Sequence, residues 1–130
     1  RGHFDGELWG LCTDPKKDVF YTVGEDKLLG VWDVVTKKMK LKCVLEEKSK
    51  TIDCSPDCKE LAVGCESGNF YIYDTSNLKV KYRIHNKGSK KSVIQVLKYS
   101  PNGEILAVGG IDGNSNGTCH IFLYDTKKKI

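Results

Sequence analysis

Three side chains near the start of the 130-residue sequence are of the types that hydrolytic enzymes use. His3, Thr22 and Asp26 can supply a base, a hydroxyl nucleophile and a carboxylate that orients the base. The same groups can also form a buried structural set, because a polar group buried without a partner costs about 1–3 kcal/mol and these groups can satisfy one another. The elements that carry them decide between the two interpretations.

The six cysteines are the other reactive side chains. They lie scattered through a chain that is longer than most disulfide-rich secreted domains, so we interpret them as free thiols. Cys54 and Cys58 lie close in sequence, but a zinc site would need two further ligands from elsewhere in the chain. None of the three histidines has metal-ligand spacing. The sequence therefore predicts no metal site and no cofactor.

The composition is that of a globular protein. A hydrophobic content of 39% is sufficient for a buried core. No segment approaches the length of an apolar membrane span, and the first residues lack the pattern of a secretory signal. We therefore expect an intracellular protein with no membrane partner, nominally one domain over residues 1–130.

Positive charge is concentrated in one segment, although the net charge is only +4. From Thr75 to Lys98 there are seven Lys and Arg residues and no acid, and such a block attracts a polyanion. The first basic patch, the candidate partner-binding site, contains Lys79, Lys81, Arg83, Lys87, Lys90 and Lys91. The second basic patch contains Lys37, Lys38, Lys40 and Lys42. The alternative interpretation is that these lysines protect exposed strands from pairing with other chains.

Two anion-binding alternatives are disfavoured. The sequence shows no recognised nucleic-acid motif and no aromatic residues interleaved with the basic ones on one sheet face, so we predict no nucleic-acid partner. The segment GGIDGNSNG, at Gly109 to Gly117, lacks the Gly-Lys-Ser/Thr ending of a phosphate loop and lies between strands. It is better interpreted as an extension of a hairpin.

An internal repeat has a period close to forty residues. A proline turn recurs as TDPKKD, SPDCKE and SPNGE, a segment of apolar residues and glycine follows it, and each unit closes on an aromatic residue and Asp. The spacing from proline to that closing Asp is 18, 18 and 24 residues, which places an insertion in the third unit near IDGNSNGTC. The units cover approximately residues 1–40, 41–81 and 82–130.

Each unit has the pattern of short β-strands. The segments between turns are rich in β-branched and aromatic residues, and none has a sustained helical period. The segments FYIY and HIFLY are apolar on consecutive residues, which indicates sheets that are covered on both faces. The sequence therefore predicts an all-β fold in which small sheets stack face to face.

The first unit, from Gly2-His3 to Trp32-Asp33, resembles a WD repeat, the unit that forms one four-stranded blade of a β-propeller. This resemblance implies a structural hydrogen-bonded tetrad of His3, Thr22, Asp26 and Trp32. The second and third units lack the tetrad, with Ser67 at the Asp position and Tyr73 and Tyr124 in place of Trp. The interior of one blade is a poor place for a substrate. We therefore interpret the set as structural and predict no catalytic residues.

The segments GHFDGELWGLCTDPKKDVFYTVGEDKLLGVWD and SVIQVLKYSPNGEILAVGG resemble the propeller region of the echinoderm microtubule-associated protein-like family. The likeness extends from Gly2 to about Asp125. It implies a non-enzymatic scaffold that binds tubulin or microtubules, in the cytoplasm and on the cytoskeleton, with cilia or flagella as candidate locations. Two alternatives stay open: a general protein-interaction adaptor, and an enzyme whose catalytic groups lie in other blades.

Three units cannot close a propeller, which typically has four to eight blades. We therefore expect about three four-stranded blades here and the remaining blades in the same longer chain. In WD repeats the outer strand of one blade usually lies at the start of the next repeat. The resemblance thus predicts outer strands at KKMKLKCVL, Lys37 to Leu45, and NLKVKYRIH, Asn77 to His85. Alternating lysine and apolar residues fit edge strands that are half in water.

Overall fold

The computed structural model describes residues 8–24, 26–85, 92–112 and 119–126. These residues form three antiparallel sheets, and no helix among them is long and apolar enough to cross a membrane. Sheet 1 contains β1 (Leu8–Asp14), β2 (Val19–Gly24), β3 (Leu28–Asp33) and β4 (Met39–Val44). Sheet 2 contains β5 (Ser49–Cys54), β6 (Glu60–Cys65), β7 (Phe70–Asp74) and β8 (Val80–Ile84). Sheet 3 contains β9 (Ser92–Tyr99), β10 (Ile105–Asp112) and β11 (Cys119–Asp125). The predicted all-β propeller architecture is confirmed.

Within each sheet the strands lie side by side in chain order. β4 pairs with β3, and β8 pairs with β7, so both lie at a sheet edge, as predicted for the outer strands. Each outer strand therefore belongs to the sheet of the preceding strands, and the unit boundaries near residues 40 and 81 fall inside β4 and β8. In sheet 3, β10 and β11 pair as far as Ile111 and Cys119, on either side of the insertion. Residues 113–118 lie outside the described part of the chain.

The proline turns of the second and third units have the same geometry. In each, the amide of the fourth residue donates to the serine carbonyl: Cys58 to Ser55 at 2.8 Å, and Gly103 to Ser100 at 2.9 Å. This is the geometry of a β-turn with proline at its second position. The fourth residue has a positive φ in both turns, 60° at Cys58 and 76° at Gly103. Glycine adopts this conformation freely, whereas a residue with a β-carbon pays about 1–2 kcal/mol for it.

Sheet 2 is buried on both faces, because its strands send consecutive residues to opposite sides. Tyr71 and Tyr73 of β7 pack in an apolar cluster with side chains of sheet 1, whereas Phe70 and Ile72 pack in a second cluster with side chains of sheet 3. All four are buried. The prediction that the run FYIY has two covered faces is confirmed.

The outward faces of sheets 1 and 3 expose large apolar side chains. Leu11 on β1 has 59% of its surface exposed, and its neighbour Cys12 points instead into the cluster shared with sheet 2. On sheet 3, Val96 is 52% exposed and Leu123 is 66% exposed. The described residues therefore form a three-layer stack with an apolar face at each end.

Candidate functional site

The part of the predicted tetrad that the structure describes is a hydroxyl–indole pair. Thr22 on β2 and Trp32 on β3 meet because the two strands pair in register, and Trp32 Nε1 donates to Thr22 Oγ1 at 2.9 Å. The Phe20 ring stacks parallel to the indole at 5.9 Å. Gly30 lies against both partners, since a β-carbon there would lie 2.8 Å from Thr22 Oγ1 and 2.9 Å from Trp32 Nε1. The strand pairing and the space left by Gly30, which has no side chain, together position this hydrogen bond.

The described contacts do not test the other two members of the predicted tetrad. Asp26 lies in the β2–β3 turn, where its Oδ1 accepts from the amide of Leu28 at 3.1 Å. His3 lies outside the described residues. The four-residue tetrad therefore stays a prediction, while the Thr22–Trp32 bond joins two central strands of sheet 1. Thr22 is only 2% exposed, so its hydroxyl does not face a substrate cavity.

Sheet 2 has a polar network that the sequence analysis did not predict. Glu47, in the connection between β4 and β5, accepts hydrogen bonds from Ser67 Oγ at 2.5 Å, from Asn69 Nδ2 at 2.9 Å and from Tyr71 OH. We call these four residues the Glu47 network. It ties the inter-sheet connection to the β6–β7 turn and to β7.

The electrostatics of this network favour the carboxylate form of Glu47. Burial raises the pKa of Glu47, but the hydrogen bonds from Ser67, Tyr71 and Asn69 outweigh it, and the pKa lies below its usual value. Burial and the bond to Glu47 raise the pKa of Tyr71, so its hydroxyl stays protonated and donates. The only sign of this network in the sequence was Ser67, which occupies the Asp position of the repeat. No motif marks its partner Glu47, twenty residues earlier.

The first basic patch is partly compensated by acidic residues. Lys81 Nζ lies 2.7 Å from Glu60 Oε2, and Arg83 contacts both oxygens of Glu46 at distances between 2.7 and 3.1 Å. The Arg83 guanidinium holds the pKa of Glu46 below its usual value, and the bond to Glu60 raises the pKa of Lys81. Lys79 is exposed. Lys87, Lys90 and Lys91 lie outside the described residues.

The second basic patch lies on the outer edge of sheet 1. Lys37 and Lys38 precede β4, and Lys40 and Lys42 lie on it. All four are exposed. Their side chains therefore form a positive edge along the outer strand.

Two cysteines and an aspartate meet where sheet 1 packs against sheet 2. One ligand atom from each of Asp14, Cys54 and Cys58 lies within 4.8 Å of the other two, and we call these residues the thiol–carboxylate cluster. Asp14 ends β1 and Cys54 ends β5, while Cys58 lies in the following proline turn. Lys16 Nζ donates to the Asp57 carbonyl at 3.1 Å, which joins the two turns.

The described thiols of this region are not joined in disulfides. Cys12, Cys43, Cys54, Cys58 and Cys65 form no disulfides. Burial, together with the charge of Cys58, raises the pKa of Cys54 to about 12. The sequence analysis required two ligands beyond Cys54 and Cys58 for a metal site, and the packing of the sheets supplies one of them, Asp14. No sequence motif links Asp14 to those cysteines, because they come together only through the stacking of the two sheets.

Comparisons with known proteins agree with this architecture. The model of the echinoderm microtubule-associated protein second β-propeller matches residues 8–130. Over 128 residues, 98% of this chain, the sequence is 33% identical to echinoderm microtubule-associated protein-like 4 of Xenopus laevis. Two human proteins match over 86% of this chain. The sequence is 33% identical to echinoderm microtubule-associated protein-like 1 and 34% identical to echinoderm microtubule-associated protein-like 3.

Two further facts bound these comparisons. The chain spans only 12–13% of the length of these relatives. Among solved structures, a hydrazine synthase of Kuenenia stuttgartiensis superposes with a TM-score of 0.81 over 95% of this chain and 35% of its own, at 17% sequence identity. At that identity the likeness shows the fold alone.

Proposed function

This chain belongs to the echinoderm microtubule-associated protein family, as part of its second β-propeller, and from this premise we propose that it is a non-enzymatic microtubule-binding module. The observation that carries the proposal is the family match over residues 8–130. Its partners are microtubules in the cytoplasm, and the remaining blades are supplied by the same longer chain. The names of the relatives refer to microtubules and not to cilia, so the proposal is limited to microtubules.

The polar contacts favour a scaffold over an enzyme. Among the hydrolytic candidates of the sequence, Thr22 is buried and its hydroxyl accepts the Trp32 indole N–H at 2.9 Å. A nucleophile must instead face both a base and a substrate. In the Glu47 network three side chains donate to one carboxylate, which joins two elements of the fold. Both networks are therefore consistent with a structural role.

The distribution of charge supports the second basic patch as the larger contributor to binding. A microtubule surface is acidic, and positive surface charge raises both the affinity and the association rate for such a partner. In the first basic patch, Lys81 and Arg83 already contact Glu60 and Glu46, which reduces their net attraction. The lysines of the second basic patch are all exposed along one sheet edge.

Co-sedimentation of the full-length chain with microtubules tests this proposal. We expect the double substitution Lys38→Glu and Lys40→Glu to weaken binding at low salt, because it reverses two exposed charges. A matched control, Lys81→Gln, removes a charge that Glu60 compensates and should change binding far less. A salt series belongs in the assay, because exposed charges are screened over about 8 Å at physiological ionic strength.

Two outcomes would contradict the proposal at different levels. If the full-length chain does not co-sediment with microtubules at any salt concentration, the microtubule-binding function is wrong. In that case the alternative of a general protein-interaction adaptor takes its place. If the chain binds but the Lys38→Glu, Lys40→Glu variant binds as the parent does, the second basic patch is not the contact. Its lysines then serve to protect the edge strand from pairing.

A further inference from the structure

We propose that Asp14, Cys54 and Cys58 form a zinc site that fastens sheet 1 to sheet 2. Their three ligand atoms lie within 4.8 Å of one another. Cysteine sulfur and carboxylate oxygen bind Zn²⁺ at about 2.3 Å and 2.0–2.2 Å, and tetrahedral geometry then separates ligand atoms by about 3.5–3.8 Å. Closing the cluster around an ion therefore requires shifts of about 1 Å. Water takes the fourth position.

The carboxylate of Asp14 is already held in place by groups that do not bind the ion. Its Oδ2 accepts from Tyr21 OH at 2.9 Å, and its Oδ1 accepts from the amides of Lys16 and Lys17 at 3.1 and 3.2 Å. Such outer partners fix the orientation of a metal-binding carboxylate. A carboxylate has about four acceptor positions, so one remains for a metal ion.

Asp14 also has the environment in which a cation is favourable. Its side chain is completely buried, with 0% of its surface exposed. Within the described ranges, none of the ion pairs includes Asp14. A buried carboxylate without a cationic partner is costly, and a divalent cation bound next to it offsets that cost.

The second observation concerns the position of Cys58 in its turn. The third unit has the same proline turn, and there the left-handed residue is Gly103. In the second unit a cysteine adopts this unfavourable conformation, at φ 60°, and its side chain is 5% exposed. A glycine would satisfy the turn equally well. What the cysteine adds is a sulfur atom within 4.8 Å of the ligand atoms of Cys54 and Asp14, which also contacts the Pro56 carbonyl at 4.0 Å.

An ion can reach the cluster through an adjoining cavity. A cavity of about 390 Å³ is lined by both cysteines of the cluster and by Cys12, Asp53 and Lys98 among others. Cys12 is not one of the three ligand atoms that converge. The mixture of two sulfur ligands with one oxygen ligand favours Zn²⁺, since Mg²⁺ and Ca²⁺ prefer sites made of oxygen alone.

The experiment measures zinc stoichiometry in the full-length chain, reduced and stripped of metal, by titration against a chromophoric chelator. The variant is Cys58→Gly, which removes one ligand and restores the residue that the third unit uses in the same turn. The matched control is Cys43→Ala, which removes a half-buried thiol on β4. We expect the parent and Cys43→Ala to bind one Zn²⁺ more per chain than Cys58→Gly. The affinity at that site should fall by more than the ten- to hundredfold that follows loss of an outer partner.

Cobalt provides a second, spectroscopic measurement that reports directly on thiolate ligands. With Co²⁺ in place of Zn²⁺, the parent should show thiolate-to-cobalt charge-transfer absorption, and Cys58→Gly should lose it. Equal zinc stoichiometry in the parent and Cys58→Gly would overturn the proposal. Equal loss of zinc in Cys43→Ala and Cys58→Gly would also overturn it, because the binding would then not be specific to the cluster. Neither result bears on microtubule binding.

Discussion

Two glycines in the same sequence motif test how the sheets pack. The motif LAVG occurs in β6 and again in β10, ending at Gly64 and Gly109. A β-carbon on Gly64 would lie 2.5 Å from Ile94 Cγ2 of sheet 3 and 2.8 Å from Thr51 Cγ2. A β-carbon on Gly109 would lie 3.9 Å from its nearest neighbours, which are Cβ and the carbonyl oxygen of Val96. The motif is identical, but only Gly64 has a sheet packed against it among the described residues.

The cost of Gly64→Ala follows from these distances. Carbon atoms pack best at about 3.5–4.0 Å, so Ile94 must move by about 1 Å. Overpacking of this kind costs about 1–3 kcal/mol, and the lower entropy of alanine in the unfolded chain offsets about 0.4–1 kcal/mol of it. We expect Gly64→Ala to lower the free energy of opening of β6 by about 1–2 kcal/mol, measured by native-state hydrogen exchange in the full-length chain.

Gly109→Ala is the matched comparison, and its result depends on the proposed next blade. In the isolated 130 residues, where they fold, we expect a change within about 0.5 kcal/mol, as for surface substitutions. In the full-length chain we expect a loss similar to that of Gly64→Ala, because a following blade would cover this face. If Gly64→Ala had no effect on stability, the inter-sheet packing would be refuted. A cost at Gly64 with none at Gly109 in the full-length chain would refute the covering blade alone.

Four further substitutions probe the polar contacts. Glu47→Ala should destabilise β7 by about 2 kcal/mol, because it removes the acceptor of three hydrogen bonds that water replaces only in part. Hydrogen exchange of the β7 amides measures this loss. Because the pKa of Glu47 is lowered in the folded state, its carboxylate stabilises the fold fully above the ordinary pKa of 4.5, and this stabilisation is lost as the pH falls through the folded-state pKa. Glu47→Gln should therefore flatten the acid limb of a profile of stability against pH. Thr22→Val should cost about 1 kcal/mol, since the Trp32 indole N–H loses its acceptor; an unchanged denaturation midpoint would argue against this bond. Tyr21→Phe should lower the free energy of unfolding by about 1.5–3 kcal/mol, because buried Asp14 loses a hydrogen-bond donor. Equal urea denaturation midpoints for the parent and the variant would contradict this.

Local pattern was sufficient to predict the strands and their place in the sheets. A strand reveals its faces through a period of two, and the proline and glycine turns mark its ends. β7 illustrates this, because four consecutive apolar residues were enough to predict two covered faces. β4 needed more than local pattern, because the resemblance to WD repeats predicted it as an outer strand and its alternating lysines only fit that position; it pairs with β3 at the sheet edge.

Contacts between segments far apart in sequence could not be predicted in the same way. Glu47 meets Ser67 across twenty positions, and Asp14 meets Cys54 across forty, without any repeat motif at either end. Such pairs depend on how the sheets and the connections between them pack and on which rotamers the side chains adopt. The ion pair of Arg83 with Glu46 has the same origin, and it is the reason that a segment free of acidic residues in sequence is not free of them in space.

The repeat uses two different polar solutions to one structural problem. In sheet 1 the described contact is a hydroxyl that accepts an indole N–H between neighbouring strands, at Thr22 and Trp32. In sheet 2 a carboxylate from the inter-sheet connection, Glu47, accepts from the β6–β7 turn and from β7. Since each solution satisfies its own polar groups, the loss of the tetrad in one unit need not weaken that blade. A departure from the repeat is then more informative where it brings a new reactive group into contact with others, as the Cys58 sulfur does with Cys54 and Asp14.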